Sequence, residues 1–538
     1  MKTVKKRINN FCRSASHIML IILPAVLFLS DFPLIKIGET DSMHLEVSLP
    51  EIWLVLFFLL TIGKIPHRIS ELGLKWALVV SLIPAYMTMS ILWSPNPLRA
   101  LLTSGIAWLT VWAIINIVHI IQYTPNSFMR LILKSFLISS AVVCLFCWLQ
   151  CFLDVFGLSR EYSLLCAGCT FASFGFPHPN GFAIEPQFMG NLLIAPALYA
   201  IYRSFLKSSP NRKTFIGLSL LFTSTLFLTF SRGAIYAFII GAILLTLLNR
   251  HRKHNSLLTI PIIIVSFIIS LCAQGIFATL SPTSDNFISG TTKVIHQLTL
   301  GHIDLRPTNP TTQQAPEATQ NSETSQEQGE TEQKSTKPEQ TEQSSFSGYV
   351  PESTETRVSL TNYALDIWND NPSHIIFGTG LGSAGTVLYQ KYPELGSSRE
   401  IVQNEYASLL LELGIIIFIL IGTTFFFLFR SAPPDFFTIS LISAYAVSLF
   451  FFSGLPNALH IYLFTPLLYI VIHKNQLNDA PVEPTPQTAP STIYPPARPS
   501  LEVLNAPVLA VFSTFPLSFH PFPPLPQNHP HQPPPNSL

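Results

Sequence analysis

Two arginines, Arg232 and Arg357, and a polar run, Gln403-Asn404-Glu405, are the groups in this chain whose type and setting invite chemistry. Arg232 stands in Phe230-Ser231-Arg232-Gly233, a nearly loopless break between two apolar stretches. A guanidinium at such a turn presents a planar fork of donors that suits a phosphate or pyrophosphate, with Ser231 beside it. The competing reading is an arginine that reaches along an interface to lipid headgroups, and the residues alone do not separate the two. Arg357, in Thr356-Arg357-Val358-Ser359-Leu360, precedes the glycine run Phe377-Gly378-Thr379-Gly380-Leu381-Gly382. That run reads as a tight turn. With no strand–helix unit and no acid downstream, it is not a dinucleotide fingerprint. Gln403, Asn404 and Glu405 stand where one apolar stretch begins, and Glu185 and Gln187 stand where another does. The loop before Glu185 holds His178, Asn180 and Gly181 between prolines, and His178 reads either as a base or as a structural histidine. Cys166 and Cys169 form a CxxC that could close a disulfide in an oxidising compartment, and as a metal site it lacks two further ligands nearby.

Composition dictates the elements that must position these groups. The chain has 538 residues, 48% hydrophobic and 11% charged, with a mean hydropathy of +0.40. Soluble domains carry about 25% charged residues, so this surface cannot face water everywhere. In lipid every backbone amide must pair internally, which leaves helices or a closed barrel. The apolar runs are continuous rather than alternating, so helices are expected. The fold class is therefore an all-α polytopic membrane protein of about twelve transmembrane helices with one large external loop between helices nine and ten. The candidate spans run over roughly 18–37, 48–63, 74–93, 100–121, 129–157, 183–202, 214–230, 232–249, 256–280, 404–429, 435–452 and 457–472.

Basic residues cluster in alternate loops, from Lys2, Lys5, Lys6 and Arg7 at the start through Lys64, Arg68, Arg203, Lys207 and Arg250 to Arg430 and Lys474. The positive-inside rule then makes both termini cytoplasmic. The expected organisation is a cytoplasmic N-terminus (1–17), nine helices (18–280), an external loop (281–403), three more helices (404–473) and a Pro-rich, disordered cytoplasmic tail (474–538). Within the loop, 306–348 is rich in Thr, Gln and Glu and reads as disordered, whereas 349–370 has helical spacing.

With these residues in view, the chain resembles the O-antigen ligase and O-antigen polymerase superfamily of bacterial envelope glycan transferases. The resemblance rests on Thr229-Phe230-Ser231-Arg232-Gly233, on the Pro177-to-Pro186 loop, on Arg357 ahead of the glycine turn, and on the stretch from Gln403 to Gly414, all in the family's order. One position departs: family ligases carry a histidine where this chain has Gln403, followed by Asn404 and, at the family's spacing, Gly414. An amide cannot serve as a general base, so either Gln403 only orients an acceptor or Glu405 supplies the base.

The resemblance implies transfer or polymerisation of an undecaprenyl-pyrophosphate-linked glycan at the outer face of the bacterial cytoplasmic (inner) membrane. The acceptor would be a glycan, lipid or protein, with no nucleic acid, cofactor or metal required. Arg232 and Arg357 would clamp the pyrophosphate; Gln403 and Glu405 would act at the acceptor; Asn404, Ser231, His178, Asn180 and Glu185 would line the substrate. The rival reading is a transporter or flippase, against which stand the absence of an internal repeat and polar residues gathered at one face.

Overall fold

The computed structural model describes residues 2–30, 35–40, 43–155, 178–205, 211–249, 258–280, 349–395, 402–431, 434–454 and 458–479. Cys166, Cys169, the 306–348 segment and the tail beyond 479 lie outside them. The helices are α1 (Lys2–Phe28), α2 (Leu49–Thr61), α3 (Ile65–Leu72), α4 (Leu74–Met89), α5 (Pro97–Gln122), α6 (Asn126–Val155), α7 (Pro186–Phe205), α8 (Arg212–Leu228), α9 (Arg232–Asn249) and α10 (Thr259–Leu280). After the gap come α11 (Tyr349–Asn369), α12 (Pro372–Phe377), α13 (Ala384–Lys391), α14 (Glu405–Ser431), α15 (Phe436–Ser448) and α16 (Leu459–Asp479). Among the described residues, eight helical stretches are long and apolar enough to cross a membrane, and two shorter apolar helices accompany them, Phe436–Ser448 and Leu459–Lys474.

The all-α expectation needs one correction. Ile35–Thr40 and Met43–Val47 pair as an antiparallel hairpin, with Lys36 opposite Glu46 and Thr40 opposite Met43. The segment links two apolar helices, and pairing its own backbone groups satisfies them without a further helix.

The main core lies where α1, α6, α7, α15 and α16 meet. Phe464 packs at 5.5 Å from Phe28 and 5.2 Å from Phe136, while Tyr199 meets Phe437 edge-on at 5.9 Å. Outward faces remain apolar, as on α6, where Ile138, Val142, Leu145 and Phe152 are all exposed. Such a stripe suits lipid rather than water. A smaller core joins Leu360, Ala364 and Ile367 of α11 to Leu388 of α13 and to Ala407 and Leu411 of α14.

Helix α14 is not continuous. Gly414 has φ 65° and ψ −165°, which interrupts the hydrogen-bond ladder and frees the carbonyls just before it. A break in an apolar helix is tolerated only where protein supplies the missing partners. Here the glycine run does so. Thr379 donates from its backbone N–H to the Leu411 carbonyl at 2.8 Å, and Gly380 donates to the Glu412 carbonyl at 2.9 Å. The Tyr86 hydroxyl reaches the Leu413 carbonyl at 2.8 Å. The Glu412 carboxylate in turn accepts from the backbone N–H groups of Gly382 (2.9 Å) and Ala384 (3.1 Å). A Cβ on Gly414 would collide with the Ile376 carbonyl, so backbone meets backbone there and only glycine fits.

Candidate functional site

Arg232 begins α9 directly after a turn in which Phe230 takes φ 49°, the left-handed region, and the buried Ser231 caps the helix by accepting from the Ile235 and Ala234 N–H groups. The turn is pressed close to its neighbours. A Cβ on Gly190 of α7 would lie 2.9 Å from Ser231 Cβ, and one on Gly233 would lie 2.6 Å from Phe451 Cβ. Arg232 therefore rides on a backbone wedged between α7 and the end of α15.

Arg357 arrives from α11 and is half-buried. Its Nη2 donates to Gln187 Oε1 at 3.2 Å. The Gln187 Nε2 donates to the Phe451 carbonyl. Arg232 lies within electrostatic reach of the Arg357 guanidinium, and so does the half-buried Glu185. Two arginines and one carboxylate thus gather at the end of the bundle formed by the starts of α7, α9 and α14. The trio carries formal charges of two positive and one negative, an excess that favours an anion.

Across the same turn lies the polar run. Asn404 caps α14, its Oδ1 accepting from Tyr406 N at 3.1 Å and Ala407 N at 3.3 Å. Glu405 is buried, with Oε2 accepting from the Gly454 N–H at 2.5 Å while its own N–H donates to the Leu449 carbonyl at 2.9 Å. Gln403 is different: it is half-buried and its Oε1, shielded from solvent, has no hydrogen-bond partner. Asn404 and Glu405 therefore serve the backbone, and Gln403 keeps an acceptor to offer.

The Pro-rich loop is held from behind. Gln150 of α6 clasps it, its Nε2 donating to Asn180 Oδ1 at 3.1 Å and its Oε1 accepting from Gly181 N at 2.9 Å. Asn180 closes the turn by donating to the Ala183 carbonyl at 2.6 Å. His178 is buried with its ring 5.4 Å from that of Phe230. Burial pushes its imidazole down to about 3, too weakly basic for proton abstraction near neutrality. His178 and Asn180 shape the loop that backs the Arg232 turn.

Sequence reasoning noticed Gln187 as a polar side chain at the mouth of α7 without tying it to Arg357. It missed Phe451 and Gly454 altogether, since the run Phe450-Phe451-Phe452 reads as plain apolar filling and the bonds of the Phe451 carbonyl and the Gly454 N–H exist only in the fold. Among the described residues, no three His, Cys, Asp or Glu side chains come together in a way that could hold a metal ion.

The apolar bundle with a polar cluster at one end defines a multi-pass membrane protein. Residues 217–422 match the protein-family model described as O-Antigen ligase, and over that stretch the chain is similar to that family. The matched stretch contains Arg232, Arg357, Gln403, Glu405 and Gly414, whereas Gln187 and Phe451 fall outside it. Neither a search of curated proteins nor one of solved structures returned a match.

Proposed function

We propose that this protein transfers or polymerises an undecaprenyl-pyrophosphate-linked glycan at the outer face of the bacterial inner membrane, with both termini cytoplasmic. The observation that carries the reading is the meeting of Arg232 and Arg357, from segments far apart in sequence, at one polar end of an apolar bundle. In this reading α7, α8, α15 and α16 cross the membrane together with the eight longer stretches, for twelve spans in all. The basic residues at the ends of α7, α14 and α16, namely Arg203, Arg430 and Lys474, then face the cytoplasm.

In this mechanism an acceptor hydroxyl oxygen attacks the anomeric carbon, the bond from that carbon to the pyrophosphate oxygen breaks, and the pyrophosphate leaves with the bonding pair. The two guanidinium groups stabilise the charge that develops on it. Gln403 Oε1 accepts from the hydroxyl and aligns it, and the hydroxyl proton passes to the departing pyrophosphate, so no side-chain base is needed. Glu405, committed to Gly454, holds the wall of the site rather than the proton. The chemistry draws on no metal, and the Pro-rich tail takes no part in it.

The test is the surface-glycan profile of a deletion strain complemented with wild type, Arg232→Ala, Arg357→Ala or Gln403→Ala. Loss of long chains with single repeats still attached indicates polymerisation. Loss of all attached glycan with lipid-linked polymer accumulating indicates ligation. An unchanged profile in the deletion strain would overturn glycan transfer.

A further inference from the structure

We infer that Gln187 is a positioning residue for Arg357, orienting the guanidinium that meets the pyrophosphate while taking its own bearing from the Phe451 carbonyl. The inference rests on the transfer reading and adds to it a residue outside the matched family stretch. The geometry is a chain of two bonds. Phe451 O accepts from Gln187 Nε2, and Gln187 Oε1 accepts from Arg357 Nη2 at 3.2 Å. A primary amide has its donor and acceptor on opposite sides, so a carbonyl on one flank fixes an oxygen toward the other.

Phe451 is a suitable reference point because it also touches the other arginine's turn, where its Cβ fills the space that any side chain on Gly233 would need. Its position is fixed in turn by the Phe451 N–H, which donates to the Ser448 carbonyl at 2.9 Å, and by Glu405, which holds Leu449 and Gly454 on either side. One turn thus sets the spacing of both guanidinium groups. A long arginine stem loses rotamer freedom when it grips an anion, and prior fixation removes part of that loss. The amide is also the right group electrically. A carboxylate at position 187 would neutralise Arg357 and set a second oxygen against the Phe451 carbonyl, whereas an amide leaves the positive charge to the ligand.

The experiment uses the full-length protein in lipid nanodiscs, with undecaprenyl pyrophosphate as the ligand and its Kd as the readout, alongside Tm without ligand. Gln187→Ala and Gln187→Met weaken binding about 10-fold with Tm unchanged, and Gln187→Glu weakens it further. In an Arg357→Ala background, adding Gln187→Ala produces no further loss, since the residue it positions is gone. A Tm drop without a change in Kd in both Gln187→Ala and Gln187→Met, or additive losses in the double variant, overturns the positioning role while leaving the arginine clamp standing. Wild-type binding by both Arg232→Ala and Arg357→Ala sinks the clamp itself.

Discussion

Glu405 and Gly454 are joined by a 2.5 Å hydrogen bond from backbone N–H to buried carboxylate, which pins the start of α14 to the turn after α15. The bond assigns Glu405 a task that an amide oxygen can also perform. Glu405→Gln is expected to keep its fold and most of its glycan transfer, because the acceptor for Gly454 survives. Glu405→Ala leaves a buried N–H without a partner and is expected to lose about 1–3 kcal/mol of stability. Thermal unfolding in detergent and a transfer assay on both variants check this. A dead but stably folded Glu405→Gln would restore the carboxylate to the role of base.

Arg232→Lys and Arg357→Lys each keep the charge and lose the planar fork. A point charge cannot hold two pyrophosphate oxygens in register, so each variant is expected to transfer glycan about 100-fold more slowly. Single-turnover rates on a lipid-linked donor measure the effect directly, and near-native rates in both would mean that charge alone suffices.

The break in α14 predicts a backbone effect remote from any ligand. Gly414→Ala forces a Cβ into a left-handed residue that already abuts the Ile376 carbonyl. The expected loss is about 1–3 kcal/mol from the backbone conformation alone, read as a lower melting temperature. An alanine variant as stable as wild type would mean that α14 can straighten.

The α11–α13 layer carries an exposed cluster with its own pH signature. Lys391 Nζ donates to Asp366 at 2.9 Å and to Asp370 at 2.5 Å, and the Tyr392 hydroxyl donates to Asp366 as well. The Lys391 and Tyr392 hydrogen bonds hold the Asp366 carboxyl below its ordinary range. A lowered folded pKa contributes stability that is present above the unfolded pKa and is lost as pH falls through the folded one. The melting temperature of Asp366→Asn should therefore lie slightly below wild type at neutral pH and converge with it below about pH 4. Because the pair is open to solvent, the gap should also shrink with added salt. A gap that widens on acidification would reverse the assignment.

The helices were legible because continuous apolar runs leave lipid-embedded backbone no other means of pairing. The span expected at 232–249 and α9 share the same limits, Arg232 and Asn249. Arg232 and Arg357 were legible for the opposite reason, since charge beside apolar helices stands out. The hairpin at Ile35–Val47 was not, for a short polar link between helices carries no period long enough to read. Nor was the true use of the glycine run. Whether Gly378 to Gly382 cradle a ligand or mend a broken helix depends on residues such as Tyr86 and Leu411, brought near only by folding. The same holds for Glu405, whose partner Gly454 is 49 residues away.

The interruption at Gly414 also divides the protein in a way that its chain order hides. The carbonyls of residues 411–413 belong, in hydrogen-bond terms, to the glycine run and Tyr86, and Ala407 and Leu411 share a core with α11 and α13. The first turns of α14 are thus the floor of the layer above it, and the remainder is a mast in the bundle. Anyone building a chimera between two such proteins would do well to cut at Gly414 and carry 349–413 as one cassette. A cut at the start of the helix would tear that floor from its room.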